Sequence, residues 1–282
     1  VSNSCTINGV ERAEKSCEIV AKELGISKEE VLVGSTGTIG IELDTSLIEA
    51  GIENLVAGLG NHSDEAAQAI MTSDTFKKEI ALSFSIDGVE CRMGIIAKGS
   101  GMIEPNMATM LAFITTDVAI RPELLEKAIK ASVRDSFNMI SVDRSNSTND
   151  MVLLVSSQEA GNPVIAEEGE NYDGFVECLD YLTREAAKSI ARDGNGATKL
   201  LEARVKGAKN EEEARILAKS IISSNLVKAS LHYADAYWGR IFAAMGQTGI
   251  EMDPLKIDCH YETAKGNLEI FSQGQGIEFS ED

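Results

Sequence analysis

The dipeptide Asp87-Gly88 lies between two segments that each alternate apolar and polar residues, and this combination constrains the fold more than any other feature of the sequence. Asp-Gly readily adopts the positive φ angles of a two-residue hairpin turn. The flanking segments, residues 78–86 and 89–97, have the period of two that is typical of half-buried strands. The sequence therefore predicts an antiparallel hairpin around which the rest of the fold must be built.

Helices and further strands are predicted on both sides of this hairpin from the spacing of apolar residues. The predicted helices are residues 10–24, 45–59, 62–71, 123–137, 172–192, 211–224 and 238–245. The predicted strands are residues 31–33, 110–120, 151–156, 198–206 and two more after Ile257, around Lys265-Gly266-Asn267. Because helices and strands are mixed without strict alternation, we expect an α+β layered fold in which helices cover a sheet.

The composition excludes several classes of partner. A net charge of -19 would repel nucleic acid and anionic membrane surfaces, so small molecules or another protein chain are the expected partners. No apolar stretch approaches the roughly 20 residues that cross a bilayer. The chain begins with Val1, which indicates an N-terminus that was processed or that lies outside this sequence. Scattered cysteines predict reduced, mostly buried thiols and a cytoplasmic location: Cys5, Cys17, Cys91, Cys178 and Cys259.

The segment from Lys98 to Met110, KGSGMIEPNMATM, joins two predicted strands through two glycines and a proline. Such a connection suits a shaped, anion-binding turn, but these residues alone favour a sheet connection with a polar tip. The three histidines are isolated, which argues against a histidine-dependent triad or a metal cluster. An enzyme without a catalytic histidine can instead use a threonine nucleophile whose own α-amine acts as the base. This arrangement requires cleavage of the peptide bond just before the threonine. Ala108-Thr109 is the candidate bond.

These residues resemble a known family. KGSGMIEPNMATM is similar to the cleavage and nucleophile motif of the glutamate N-acetyltransferase (ornithine acetyltransferase, ArgJ) family. STGTIG at residues 35–40 resembles the family's STGVIG signature, and MTSDT at residues 71–75 resembles its MTTDT stretch. Further matches follow in the family's order, namely STNDMVL (147–153), ARDGNGATKL (191–200) and WGRI (238–241). The similarity extends from about Asn3 to the end of the chain.

The resemblance implies a fold and a processing step. The expected fold is the layered αββα-type fold of the self-cleaving, DmpA/ArgJ-like N-terminal-nucleophile hydrolases, which belongs to the α+β class. The expected cleavage between Ala108 and Thr109 would divide the protein into an α-chain of residues 1–108 and a β-chain of residues 109–282. These chains are expected to stay together as a heterodimer and to pair further into a heterotetramer.

The resemblance also implies the chemistry. Thr109 would be the nucleophile, its freed α-amine the general base, and Thr36 and Gly37 the oxyanion hole. Thr72, Lys98, Thr109 and the position of Asn195 would bind substrate. The implied reaction moves an acetyl group from N2-acetylornithine to glutamate, in arginine biosynthesis, through an acetyl-threonine intermediate. It needs no metal and no organic cofactor. Some relatives also accept acetyl-CoA, and no residue here decides that point.

Departures from the family pattern keep two alternatives open. Asn195 stands where the family usually has a substrate-binding glutamate, and Glu104 replaces a small residue before Pro105. Loss of the carboxylate at residue 195 would weaken binding of a substrate ammonium. One alternative is therefore a substrate-shifted relative, such as an aminopeptidase or amidase that uses Thr109 for hydrolysis. The other is a non-catalytic relative that binds an amino acid or a partner chain.

Overall fold

The predicted hairpin is present in the structure, a computed structural model that describes residues 5–104 and 110–278. Strand β1 (Lys78–Ile86) pairs antiparallel with β2 (Val89–Lys98) along its whole length. At the turn, Asp87 has a φ of 49° and Gly88 a φ of 79°. Positive φ at both central positions is typical of a type I′ turn, whose twist matches that of the strands.

Two more strands extend this hairpin into a four-stranded sheet of order β1-β2-β3-β4. Strand β3 (Leu111–Thr116) is antiparallel to β2, and β4 (Met151–Ser156) is parallel to β3. A parallel pair needs a long crossover, which contains helix α4 (Pro122–Arg134). Pro122 lies in its first turn, where the missing N–H costs nothing.

Helix α5 (Glu170–Arg192) covers one face of this sheet, and together they form the main core. Its buried side chains recur three or four residues apart, as an amphipathic helix requires: Phe175, Leu179, Leu182, Ala186 and Ile190. They belong to the same buried cluster as alternate residues of β2 and β3: Met93, Ile95, Ala97, Ala112 and Ile114. Each fully buried large aliphatic side chain stabilises the fold by about 1.5–3 kcal/mol relative to exposure.

Three helices precede the hairpin: α1 (Gly9–Leu24), α2 (Thr45–Ala57) and α3 (Ser63–Ala69). Helix α1 packs against α2 and ends at Gly25, whose φ of 68° closes the helix in the left-handed conformation. The side chain of Asp44 caps α2 by accepting a 3.0 Å hydrogen bond from the Ser46 amide. These elements, the sheet and α5 form one compact unit, Val1–Gly196.

The second compact unit, Ala197–Asp282, has its own core. It contains α6 (Glu211–Ser223), α7 (Asn225–His232), α8 (Gly239–Gly246), β5 (Cys259–Thr263), β6 (Gly266–Ser272) and β7 (Gln275–Gly276). The three strands form an antiparallel sheet. Trp238, Phe242 and Phe271 contact one another with ring centroids 4.4–5.4 Å apart, a spacing typical of packed aromatic side chains.

Two predicted strands are wrong. Residues 31–33 and 198–206 pair with no strand in the described part of the chain. Leu32 and Val33 are exposed, so this apolar run is not part of a buried sheet. In the second segment the alternation is real, because Leu201, Ala203 and Val205 pack against the core of the second unit. Alternation therefore predicted which side chains pack on the core, where they are half-buried, but no neighbouring strand among the described residues pairs with this segment.

One helix was not predicted. Helix α7 follows α6 after a single residue, Ser224, whose Oγ accepts a 3.3 Å hydrogen bond from the Val227 amide. A serine cap at this point starts a new helix immediately after the old one ends. None of the helices in the described residues is long and apolar enough to cross a membrane.

Candidate active site

Lys98, the last residue of β2, is buried, with only 2% of its surface exposed. Its Nζ donates a 2.8 Å hydrogen bond to Oγ1 of Thr72 and lies 3.7 Å from Oδ2 of Asp74. The structure thus brings together Thr72 and Lys98, two of the residues predicted to bind substrate. A buried ammonium next to a hydroxyl is chemically suited to bind an anionic group such as an amino-acid carboxylate.

Asp74 fixes the geometry around this lysine. Its side chain is fully buried. Its Oδ1 accepts a 2.7 Å hydrogen bond from the Gly99 amide, and its Oδ2 accepts a 3.1 Å bond from the Thr72 amide. One carboxylate therefore holds the backbone on both sides of the Lys98–Thr72 contact.

A second buried lysine, Lys78, neutralises two carboxylates. Its Nζ lies 2.7 Å from Oδ1 of Asp74 and 2.6 Å from Oδ2 of Asp193. Asp193, which immediately follows α5, also accepts a 2.9 Å hydrogen bond from the Thr75 amide. The start of β1, the end of α5 and the Thr72–Thr75 segment are thus joined by one buried charge network, here called the lysine–aspartate network: Asp74, Lys78, Lys98 and Asp193.

Burial and ion pairing have opposing effects on the pKa of each of three residues in this network. Burial lowers the pKa of Lys98, and the positive charge of Lys78 lowers it further. The negative charge of Asp74 raises the pKa but does not compensate, so the pKa of Lys98 lies below its ordinary value. Burial raises the pKa of Asp74, but hydrogen bonds from Lys78 and two backbone amides outweigh it and hold the pKa below its ordinary value. The same balance, with Lys78 and Thr75 as donors, lowers the pKa of Asp193. Both carboxylates are therefore ionised at neutral pH.

The predicted oxyanion-hole residues, Thr36 and Gly37, belong to a loop that contacts the start of β4. Residues 34–37 are here called the oxyanion segment. A Cβ added at Gly34 would lie 2.2 Å from Cε of Met151, so a glycine permits this close approach. Gly37 has a φ of 149°, a conformation that disfavours residues with side chains.

Two consecutive residues before β4 connect the oxyanion segment to the start of β3. Nδ2 of Asn149 donates a 3.0 Å hydrogen bond to the carbonyl oxygen of Ser35. Oδ1 of Asp150 accepts a 2.9 Å hydrogen bond from the amide of Met110, the residue that follows Thr109 in the chain. The Met151 amide donates a 3.0 Å bond to the Met110 carbonyl. The oxyanion segment and the beginning of β3 therefore share one support.

Asp150 is unusual among the carboxylates of the first unit. Burial raises its pKa to about 6, although the hydrogen bond from the Met110 amide partly opposes this. Its Oδ2 is buried and has no hydrogen-bond partner among the described residues. A carboxyl group of this kind changes protonation state close to neutral pH.

Residues that follow α4 also hold the chain that precedes the predicted cleavage bond. The carboxylate of Asp143 accepts hydrogen bonds of 2.6 and 3.1 Å from two backbone amides of the 98–110 segment. Glu104, one of the departures from the family pattern, accepts a 2.8 Å hydrogen bond from Oγ of Ser141 and lies 3.8 Å from Nε of Arg144. Glu104 thus interacts with a hydroxyl and a cation in the following part of the chain.

Asn195 lies beside the same segment. Its amide donates a 2.8 Å hydrogen bond to the Ser100 carbonyl, and a Cβ added at Gly101 would lie 2.4 Å from its Nδ2. Oγ of Ser100 lies in turn 2.7 Å from Oγ of Ser73. The side chain at residue 195 is exposed, and it therefore faces solvent next to the Gly-rich turn.

The predicted cleavage bond itself, between Ala108 and Thr109, lies outside the described residues. The structure describes the residues on either side of it. The lysine–aspartate network lies at the end of β2, and Asn149 and Asp150 make their contacts at the start of β3 and in the oxyanion segment. The described residues contain no cluster of His, Cys, Asp or Glu that would hold a metal ion.

Several of these supporting residues were not predicted individually. Asp74, Asn149, Asp150 and Asp193 all lie inside segments that carry the family resemblance, which was the available signal. Lys78 gave none, because a lysine at the start of an alternating strand is typical of an exposed strand end. Burial of Lys78 results from two acids that are distant in sequence.

The structure is that of an α+β protein with a four-stranded sheet. Its glycine-rich connection between β2 and β3 is supported by buried charges. A model of the ArgJ family matches residues 1–282. The chain therefore belongs to the ArgJ family, which confirms the predicted resemblance.

Individual relatives agree with this assignment. The chain is 47% identical to "Arginine biosynthesis bifunctional protein ArgJ 1" of Clostridium acetobutylicum, across 100% of this chain and 69% of that protein. It is 44% identical to the ArgJ protein of Thermotoga neapolitana, across 100% of this chain and 71% of that one. A crystal structure of the Bacillus halodurans ArgJ protein matches with a TM-score of 0.56 and 40% identity, covering 60% of this chain and 77% of that one. The predicted α+β fold class is thereby confirmed.

Proposed function

We propose that this chain is a glutamate N-acetyltransferase that transfers an acetyl group from N2-acetylornithine to glutamate. The observation that carries the proposal is the family match over the whole chain, together with relatives named as arginine biosynthesis bifunctional proteins. The candidate site agrees chemically, because Lys98 and Thr72 supply a buried cation and a hydroxyl next to the nucleophile-bearing connection. Both substrates have an α-amino-acid frame, so one pocket can serve both half-reactions.

The mechanism begins with activation of the nucleophile. The Thr109 hydroxyl first attacks the Ala108 carbonyl, and breaking of the Ala108–Thr109 C–N bond frees the Thr109 α-amine and leaves an ester on Oγ. Water then hydrolyses this ester, which releases the Ala108 carboxylate and restores the Thr109 hydroxyl. In the transfer reaction this amine takes the hydroxyl proton as Oγ attacks the acetyl carbonyl. The C–N bond to ornithine then breaks, and the departing amine receives the proton.

The second half-reaction reverses these roles. The α-amine of glutamate attacks the acetyl-Thr109 ester, the C–O bond breaks, and Oγ regains a proton. Negative charge develops on the acetyl oxygen in both steps. Donors of the oxyanion segment, at Thr36 and Gly37, would stabilise that charge, and loss of one such donor typically costs about 3–4 kcal/mol of barrier.

The sheet supports continued association of the two chains after cleavage. Strands β2 and β3 are neighbours, with register from Met93↔Thr116 to Lys98↔Leu111, and the proposed bond lies between them in sequence. Cleavage would therefore leave a complete antiparallel ladder joining residues 1–108 to residues 109–282. Pairing of two such heterodimers into a heterotetramer is part of the proposal and can be checked by the mass of the native particle.

A reducing compartment such as the cytoplasm is the proposed location. All five cysteines are free thiols in the structure. Only Cys91 is buried; Cys5 is exposed and the others are half-buried, so the prediction of mostly buried cysteines is wrong. Free thiols of this kind persist where glutathione keeps them reduced.

A second candidate is favoured by Asn195. A neutral amide at this exposed position offers no counter-charge to a substrate ammonium, which suits a shifted donor or the hydrolytic use of Thr109. Competition separates the two functions: in a transferase, added glutamate captures the acetyl group and suppresses release of free acetate. An amidase would release acetate at a rate that glutamate does not change.

Intact-mass analysis of the purified protein beside Thr109→Ala tests the proposal directly. The expected result is a wild type split between Ala108 and Thr109, an intact variant, and glutamate-dependent release of ornithine from N2-acetylornithine by the wild type alone. An intact and inactive wild type would reject the transferase in favour of a non-catalytic relative.

A further inference from the structure

Asn149 and Asp150 are adjacent in sequence but bind two separate parts of the candidate site. Asn149 holds the oxyanion segment through the Ser35 carbonyl, at 3.0 Å, and Asp150 holds the Met110 amide, at 2.9 Å. The amide of Met110 belongs to the peptide bond that joins Thr109 to Met110. Two neighbouring side chains therefore hold Ser35 of the oxyanion segment and Met110 at the start of β3.

We infer that Asn149 and Asp150 form a positioning clamp that aligns the oxyanion segment with the peptide that follows the nucleophile. The inference rests on the proposed function, because the clamp is expected to act on the acyl-transfer geometry. Neither residue needs to touch substrate. Both act through the backbone groups that they hold.

The clamp is built on a rigid element. Met151, the next residue, begins β4, which pairs in parallel with β3 from Leu111↔Met151 onward. Its side chain also fills the space that a glycine leaves at residue 34. The two hydrogen bonds of the clamp thus start from a point that is itself fixed by a strand ladder and by close packing. Misplacement of reacting groups by about 1 Å can cost on the order of 100-fold in rate.

Asp150 is half-buried, but the burial of its Oδ2 atom strengthens the case. Its Oδ2 has no hydrogen-bond partner among the described residues, and burial shifts its pKa upward. A polar group in such surroundings is destabilising unless something offsets its cost. The hydrogen bond from the Met110 amide is the described contact that offsets this cost.

Pairs of variants separate positioning from folding. Asp150→Asn keeps an acceptor for the Met110 amide, whereas Asp150→Ala removes it. Asn149→Asp keeps the size of the side chain but cannot donate to the Ser35 carbonyl. Asn146→Ala changes an exposed residue of the same loop and serves as the matched control.

The measurements are kcat and KM for acetyl transfer and the rate of chain cleavage, with thermal unfolding to confirm that each variant is folded. We expect Asp150→Ala and Asn149→Asp to lower kcat by about 10- to 100-fold with KM changed less than about 3-fold. The kcat values of Asp150→Asn and Asn146→Ala should stay within about 5-fold of the wild-type value.

The outcomes are distinguishable from failure of the proposed function. A wild type that neither cleaves nor transfers acetyl groups overturns the proposed function and the clamp together. An active wild type whose folded Asp150→Ala and Asn149→Asp variants keep full kcat overturns the clamp alone. Equal losses in Asp150→Asn and Asp150→Ala would also overturn it, because the charge and not the held amide would then be what matters.

Discussion

Nζ of Lys78 lies 2.6 Å from Oδ2 of Asp193, although 115 residues separate the two in the chain. The same ammonium lies 2.7 Å from Oδ1 of Asp74, and the side chains of all three residues are at most 2% exposed. Because Asp74 also holds the Thr72 amide, this ion pair connects the main sheet and α5 to the Lys98–Thr72 contact. Folding and the geometry of the candidate site therefore depend on the same charges.

Lys78→Met should destabilise the protein strongly. The substitution leaves Asp74 and Asp193 buried close together with their main counter-charge gone, and breaking a buried ion pair in this way costs about 3–5 kcal/mol. Chemical denaturation, followed by circular dichroism, measures the free energy of unfolding. Lys77→Met is the matched control, because Lys77 is exposed and its ion pairs with Asp64 and Glu79 should contribute at most about 1 kcal/mol. Equal effects of the two substitutions would contradict the assigned role of the network.

Lys98→Met should weaken substrate binding while leaving chain cleavage intact. Self-cleavage involves no substrate carboxylate, whereas both half-reactions of acetyl transfer do. Loss of a charge-assisted hydrogen bond costs about 1.5–3 kcal/mol, so KM for N2-acetylornithine and for glutamate should each rise by about 10- to 100-fold. Steady-state kinetics and intact mass measure the two effects separately.

Thr72→Val provides a comparison for Lys98→Met. It removes the hydroxyl that accepts the 2.8 Å bond from Lys98 but keeps the cation. A smaller rise in KM is expected. If Lys98→Met abolished cleavage and left KM unchanged in the residual activity, Lys98 would act in processing and not in substrate binding.

Local signals in the sequence predicted most of the fold. Asp87 and Gly88 form the predicted turn with I′-like φ angles, and the predicted strand 151–156 has the bounds of β4. The segment 198–206 shows where such reasoning fails. Its alternation is satisfied by packing on the second unit's core, and a period of two cannot reveal whether a pairing strand exists.

The candidate site was predicted less completely, because its supports are long-range. Thr72 and Lys98 could be named from family motifs, and the structure brings them into contact. The contacts of Lys78 with Asp193 and of Asp150 with Met110 join residues 115 and 40 positions apart. Burial of those charges is a property of the folded chain that composition and spacing do not encode.

Asn195→Glu should improve use of the ornithine-type donor. It restores the carboxylate that the family pattern has at this position, beside the Ser100 and Gly101 turn. A partly exposed ion pair with a substrate ammonium contributes up to about 1 kcal/mol, so KM for N2-acetylornithine should fall by up to about 5-fold. Asn195→Gln is the control, since it has the added length without the charge. A fall in KM for both variants would assign the effect to length.

Asp150→Asn should change how stability depends on pH. The pKa of Asp150 in the folded protein is raised to about 6, whereas an unfolded aspartate titrates near 3.9. Between these values the folded state binds more protons than the unfolded state, so the free energy of unfolding falls as pH rises through this interval and is level above it. Replacement by the neutral amide removes this contribution.

The wild type and Asp150→Asn should therefore have nearly the same pH dependence below about pH 4 and diverge above it. The difference in free energy of unfolding, variant minus wild type, should increase by roughly 1–3 kcal/mol between pH 4 and pH 7. Urea denaturation from pH 4 to 8 measures this, and the titrations of all other groups cancel in the comparison. Parallel curves for the two proteins would mean that the Asp150 carboxyl titrates at its ordinary pKa and is solvated in the folded state.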